Sequence, residues 1–190
     1  MDEQESLSVI KKMIDDSKQN IKMQSPFYLL WGTLVFITAF VEYYLYVSVE
    51  TPNHWYVWPA MSVIGGVGSG IVGWRQEKRT SVKTFIDRAM SYFWGGWIIL
   101  FILTIIWGVV AQASWSQIFT IIIAFYGMGT FISGGILRFT PLMVGGLISL
   151  AIAVFCMALG IDQNFPDMLI ALALSILVSY LIPGFLLRKA

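Results

Sequence analysis

A chain of 190 residues with 57% hydrophobic and only 12% charged side chains, and a mean hydropathy of +0.75, has too little polar surface to clothe a water-soluble globule and belongs in a bilayer. Its formal net charge of +1 supplies no field for nucleic acid, so no direct nucleic-acid partner is expected. A single cysteine, Cys156, excludes an intramolecular disulfide and a thiolate metal cluster, and within an apolar run it reads as a small buried or lipid-facing residue.

Met1 to Gln24 lacks the basic, then apolar, then small-residue order of a cleavable signal peptide, so insertion is expected to rely on the first span. Leu7, Ile10, Ile14, Ser17 and Ile21 recur at spacings of three and four, which places an apolar stripe on one face of a helix. Lys11 with Asp15 and Lys12 with Asp16 form i,i+4 pairs elsewhere on it. Residues 1–25 are therefore expected to be a cytoplasmic amphipathic helix, able to lie at the headgroups, pair with its copy in a homo-oligomer, or receive a cytoplasmic protein partner.

Ser25-Pro26 reads as a helix entry, a capping hydroxyl followed by proline in the first turn, and the apolar run Phe27 to Val49 is long enough to cross. Thr51-Pro52-Asn53 is a turn, and Trp55 to Trp74 is the second span with Pro59 near its start. The segment 75–88 holds Arg75, Lys78, Arg79, Lys83 and Arg88 against Glu77 and Asp87, a pattern suited either to anionic lipid or simply to fixing topology. Spans three and four run from about Met90 to Ala111 and Trp115 to Leu137, joined so tightly that they must form a hairpin. Thr140-Pro141 repeats the entry pattern for span five, Leu142 to Leu159, and span six covers Pro166 to Leu187.

Gly32 to Arg75, Gly95 to Arg138 and Gly145 to Arg188 are each separated by 43 residues. That recurrence divides residues 26–190 into hairpins 26–75, 89–138 and 141–188, all threaded in one sense and hence expected to be related by an axis along the membrane normal. The expected fold is all-α and polytopic, with six transmembrane helices. All 12 lysines and arginines fall before span one, between spans two and three, after span four or after span six, which puts both termini in the cytoplasm. Superposing the copies pairs Gly66 with Gly129 and Ser179, and Gly70 with Ser133 and Pro183. Small residues let backbones approach in lipid, so Gly32, Gly66, Gly70, Gly95, Gly129, Ser133, Gly145 and Ser179 are expected at helix contacts.

Glu42 is the one acid well inside a span. Intramembrane acids are candidates for proton or cation handling, yet at 1.5 Å per residue Glu42 lies about 22 Å beyond Phe27, in the outer part of a core about 30 Å thick, where neighbouring tyrosines or water could satisfy it. His54 with Glu50 beside it makes a poor metal site, because zinc usually takes three or four protein ligands. With one histidine in the chain, no serine–histidine machinery assembles at depth. The run Gly68-Ser69-Gly70-Ile71-Val72-Gly73 matches a dinucleotide fingerprint in letters only, for it sits inside a span with no strand before it. No cofactor and no enzymatic activity are expected.

The stretches Ser25-Pro26-Phe27-Tyr28-Leu29-Leu30-Trp31-Gly32 and Tyr126-Gly127-Met128-Gly129-Thr130-Phe131-Ile132-Ser133-Gly134-Gly135 resemble a family of small six-span bacterial inner-membrane proteins without an assigned activity. Members are often encoded beside a small winged-helix regulator, so the resemblance implies a bacterial cytoplasmic membrane and a role in signalling or stress response. A fainter similarity, in the glycines ending each second helix, is to acid-resistance membrane proteins of the HdeD type. The expectation is a non-enzymatic sensory or regulatory membrane protein. The competing expectation is a small-solute or ion transporter using Glu42.

Overall fold

The computed structural model describes residues 3–78 and 85–189, with side chains from Lys22 onward apart from those of Phe85 and Asp162. The apolar stripe Leu7, Ile10, Ile14 and Ile21 and the cations Arg79 and Lys83 lie outside the described side chains. Helix α1 spans Glu3–Tyr44, α2 Val57–Glu77, α3 Phe85–Val110, α4 Trp115–Leu137, α5 Thr140–Ala158, α6 Phe165–Ile176 and α7 Ile182–Lys189. A π-helical turn, Leu45–Val49, follows α1, and a second, Leu177–Leu181, joins α6 to α7 as one path. Six segments are long and apolar enough to cross a membrane, namely Lys22–Val49, His54–Glu77, Ile86–Val110, Trp115–Leu137, Thr140–Ala158 and Phe165–Lys189. One end of the bundle carries the hairpin tips 45–56, 111–114 and 159–164. The other carries Lys22, Arg75, Lys78, Arg88, Arg138, Arg188 and Lys189 and is called the basic end.

Two helix boundaries differ from the sequence expectation. Ser25-Pro26 does not start a helix, because α1 runs through Pro26 without a break. The Ser25 hydroxyl is used instead on a neighbour, donating to the Gly184 carbonyl at 2.8 Å, so a tertiary acceptor replaces the capping role. The sixth span is likewise not one regular helix. Its π turn pushes the Val178 carbonyl against Gly145, where any Cβ would collide with it, an approach that regular i→i−4 geometry would not give.

Backbone-to-backbone packing builds the centre. A Cβ on Gly146 would lie 2.6 Å from the Gly127 carbonyl oxygen, and one on Gly134 would lie 2.7 Å from the Met143 nitrogen. These crossings lock α4 to α5, the most extensive pairing in the molecule. Ser149 on α5 adds polar glue, reaching the Ile123 carbonyl at 3.1 Å and the Ser175 hydroxyl at 2.5 Å. Buried Thr120, Thr130, Ser133 and Ser179 each donate to a carbonyl of their own helix, so they leave no unmet donor against lipid.

The three hairpins are not equally buried. Helices α4 and α6 supply most of the core, whereas α2 and α3 are largely exposed. Helix α3 docks through an aromatic ridge, with Trp97 donating to the Phe125 carbonyl at 2.9 Å and stacking on Phe101. Its counterpart on α2 is a glycine face. Gly65 meets Trp31 and Gly68 meets Leu30, and the Trp31 indole donates to Ser69 at 2.9 Å.

Candidate functional site

Helix α1 ends at Tyr44, and the π turn Leu45–Val49 widens the last coil before Glu50 closes it with a left-handed backbone, φ 53°. Thr51-Pro52-Asn53 then reverses the chain. The Thr51 hydroxyl accepts from the Asn53 nitrogen at 3.4 Å, and the Thr51 carbonyl accepts from the His54 nitrogen at 3.4 Å. A single 3-10 turn, His54–Tyr56, leads into α2. This tip returns His54 over α1 twelve residues after Glu42 and sets Trp58 one turn further on.

The result is a closed acid site. Glu42 is 1% exposed. His54 Nδ1 lies 2.9 Å from Oε1, and the Trp58 indole N–H donates to Oε2. The ring nitrogen and the indole N–H reach one carboxylate oxygen each, so an ionised Glu42, which can only accept, has a partner at both oxygens when Nδ1 carries the proton. His54 stays partly open, its side chain 20% exposed. Desolvating a carboxylate is costly unless it is paired and hydrogen-bonded, and here the pairing comes from His54 of the tip.

Aromatic rings from four elements enclose the pair. Tyr46 stands edge-on to His54 at 5.0 Å, and Phe165 of α6 lies 5.8 Å from the imidazole. Phe119 of α4 bridges Trp58 at 5.3 Å and Phe165 at 5.4 Å. On the side of His54 away from the core, an open cleft of about 560 Å³ is lined by Tyr46, Val47, Glu50, Thr51, Pro52 and His54. The imidazole therefore separates an accessible cleft from a buried acid.

Glu42 thus sits deeper in side-chain contacts than depth-counting suggested. Its partners are His54 and Trp58, not Tyr43 or Tyr44, and His54 pairs with Glu42 rather than with the adjacent Glu50. Among the described residues no three histidine, cysteine, aspartate or glutamate side chains come together for a metal.

The expected packing residues divide. Gly32 faces Tyr180 and Leu181, Gly129 faces Trp97, Gly145 faces Val178 and Ser179, and Ser133 and Ser179 are fully buried. Gly66, Gly70 and Gly95 are a correction, since nothing lies within 4 Å of a Cβ placed on any of them. Helix α2 turns its Gly65, Gly68 and Ser69 face to α1, which rotates Gly66 and Gly70 away. Gly127, Gly134 and Gly146 also make close backbone crossings, which the repeat spacing does not single out. Of the basic segment, Lys78 lies over the Trp74 ring at 3.6 Å, and Arg75 and Arg88 are exposed at the basic end.

A second polar feature lies nearer the basic end. The rings of Tyr28, Tyr180 and Tyr126 form a chain with centroids 5.6 and 5.3 Å apart, and the buried hydroxyl of Tyr180 has no hydrogen-bond partner among the described residues. Comparison of the chain with protein-family models, with curated proteins and with solved structures returns no match.

Proposed function

We propose that this chain is a non-enzymatic membrane sensor and regulator, whose input is the protonation of the Glu42–His54 pair and whose output is the far end of α1. The observation that carries the reading is a buried carboxylate held by an imidazole that itself borders an open cleft. A proton arriving from the cleft changes the charge of the pair. The groups facing the pair are few. Helix α1 brings Glu42, with Tyr46 just beyond it; the tip brings Glu50; α2, α4 and α6 bring Trp58, Phe119 and Phe165. Asp167 on α6 is engaged by the Asn164 amide at 2.6 Å.

Glu42 and the N-terminal segment share one uninterrupted helix of 42 residues, about 60 Å long at 1.5 Å per residue. A change of tilt or rotation at Glu42 is delivered to the basic end, where Ser25 bonds Gly184 and the Gln76 side chain donates to the Met23 carbonyl at 2.5 Å. In this reading the basic end is cytoplasmic by the positive-inside rule, the membrane is a bacterial inner membrane, and the hairpins are parallel repeats about the membrane normal. The apolar face of residues 1–25 then meets lipid, a second copy or a cytoplasmic protein, and the exposed arginines contact anionic headgroups.

The test uses full-length protein in liposomes with a fluorophore on Lys22→Cys in a Cys156→Ala background. A pH step on the tip side should shift the fluorophore signal in the parent and leave Glu42→Gln unresponsive. An equal response in both would overturn the sensor reading. The same liposomes decide the transporter alternative, because solute or ion flux lost in Glu42→Gln would put transport in its place.

A further inference from the structure

We propose that the cleft beside His54 binds a protonated primary amine carrying a short apolar body. The inference rests on the sensor reading, for which it names a ligand at the same tip. The cleft, at about 560 Å³, has the volume of a small-molecule site. Glu50 is the one formally charged residue among its six lining residues, and none of the chain's lysines or arginines belongs to the tip segments 45–56, 111–114 or 159–164. Glu50 lines the cleft and Asp167 stands in the first turn of α6 at the same end, so the local field favours a cation and opposes an anion.

Hydrogen-bond chemistry narrows the class further. The Nδ1 of His54 is used on Glu42, which leaves Nε2 as the free ring nitrogen of this cleft-lining residue, an acceptor when Nδ1 alone carries the proton. The Glu50 carboxylate is acceptor-only, and the Thr51 hydroxyl offers a further oxygen. An ammonium group supplies three donors to such a set, whereas a quaternary ammonium supplies none. The apolar body has Val47, the Pro52 ring and the Tyr46 ring to lie against. A carboxylate ligand would find Glu50 facing it and no fixed positive charge.

The experiment is titration of the purified full-length protein in neutral detergent with hexylammonium, hexyltrimethylammonium and hexanoate, read by tryptophan fluorescence and calorimetry. Saturable binding of hexylammonium, weaker binding of the trimethyl compound and no binding of hexanoate are expected. Glu50→Gln should lower hexylammonium affinity by about tenfold or more, the loss of one charge-assisted hydrogen bond, while Glu50→Asp keeps part of it. Hexanoate binding as well as hexylammonium, or Glu50→Gln binding the amine as the parent does, overturns the amine site. Amine binding that depends on Glu50 in a protein with no proton response keeps the amine site and removes the sensor reading instead.

Discussion

Gly146 of α5 faces Gly127 of α4 so closely that a Cβ on Gly146 would sit 2.6 Å from the Gly127 carbonyl oxygen and 2.6 Å from the Phe131 nitrogen. Both obstacles are backbone, so neither can swing aside. In lipid, where helices gain nothing from hiding apolar surface, such contact is what holds a crossing together. Gly146→Ala should therefore force α4 and α5 apart and cost roughly 1–3 kcal/mol, the range for overpacking a filled interior. Gly70→Ala adds its methyl to open space and should leave the detergent melting temperature unchanged. Equal melting of the two variants would show that the α4–α5 crossing is not the close one.

The pair Glu42–His54 gives a sharper energetic expectation. Replacing His54 with leucine strips one donor from an acid that is 1% exposed, and a lone buried charge is worse than no charge. With His54 itself 20% exposed, we expect a loss of roughly 2–3 kcal/mol, below the ~3–5 kcal/mol of a fully buried pair. Glu42→Gln in the same background should restore part of that stability, since the amide needs no countercharge. A double-mutant cycle read by chemical denaturation in mild detergent measures the coupling, and a value near zero would mean that the two groups do not support each other.

Tyr180 poses the opposite case. Its hydroxyl is buried with no partner among the described residues, and an unmet buried hydroxyl costs about 1–3 kcal/mol. Tyr180→Phe keeps the ring against Tyr28 and Tyr126 while removing the hydroxyl. Thermal melting should stay level or rise. A fall of several degrees would reveal a bound water or ion between the phenols.

Much of this architecture was legible from hydropathy and punctuation. Span four was read as Trp115 to Leu137, and α4 has those bounds, because a polar tip and a terminal arginine mark both ends in the sequence. Thr140-Pro141 did open α5, yet the same two-residue pattern at Ser25-Pro26 did not open α1, since the hydroxyl found the Gly184 carbonyl across the bundle. Local grammar does not register such a partner. Helix α2 has glycines at positions 65, 66, 68, 70 and 73, so small-residue spacing alone offers more than one face. Only the shapes of Trp31 and Leu30 on α1 select Gly65 and Gly68. At the candidate site, depth-counting found Glu42, but its link to His54 crosses a π turn and a reversed tip. No helical period spans that path, which is why the imidazole was first grouped with its sequence neighbour Glu50.

Backbone strain at the α3–α4 tip supplies a last expectation. Gln112 holds φ 52°, a left-handed conformation that costs a residue with a Cβ roughly 1 kcal/mol and glycine nothing comparable. Its nitrogen donates to the Val109 carbonyl at 3.3 Å and the next nitrogen, of Ala113, to the Gly108 carbonyl at 3.0 Å, so the turn is pinned by main-chain bonds that a substitution leaves intact. Gln112 is exposed and has no part in the Glu42 site. Gln112→Gly loses little contact and relieves the strain, although glycine also gives the unfolded chain more freedom, which offsets part of the gain. The net should be a rise of a few tenths of a kcal/mol, about one degree in melting temperature for a chain of this size, whereas Gln112→Val, β-branched and poorly suited to positive φ, should lower it. If glycine and valine shift the melting temperature in the same direction, the tip is not held in the left-handed conformation.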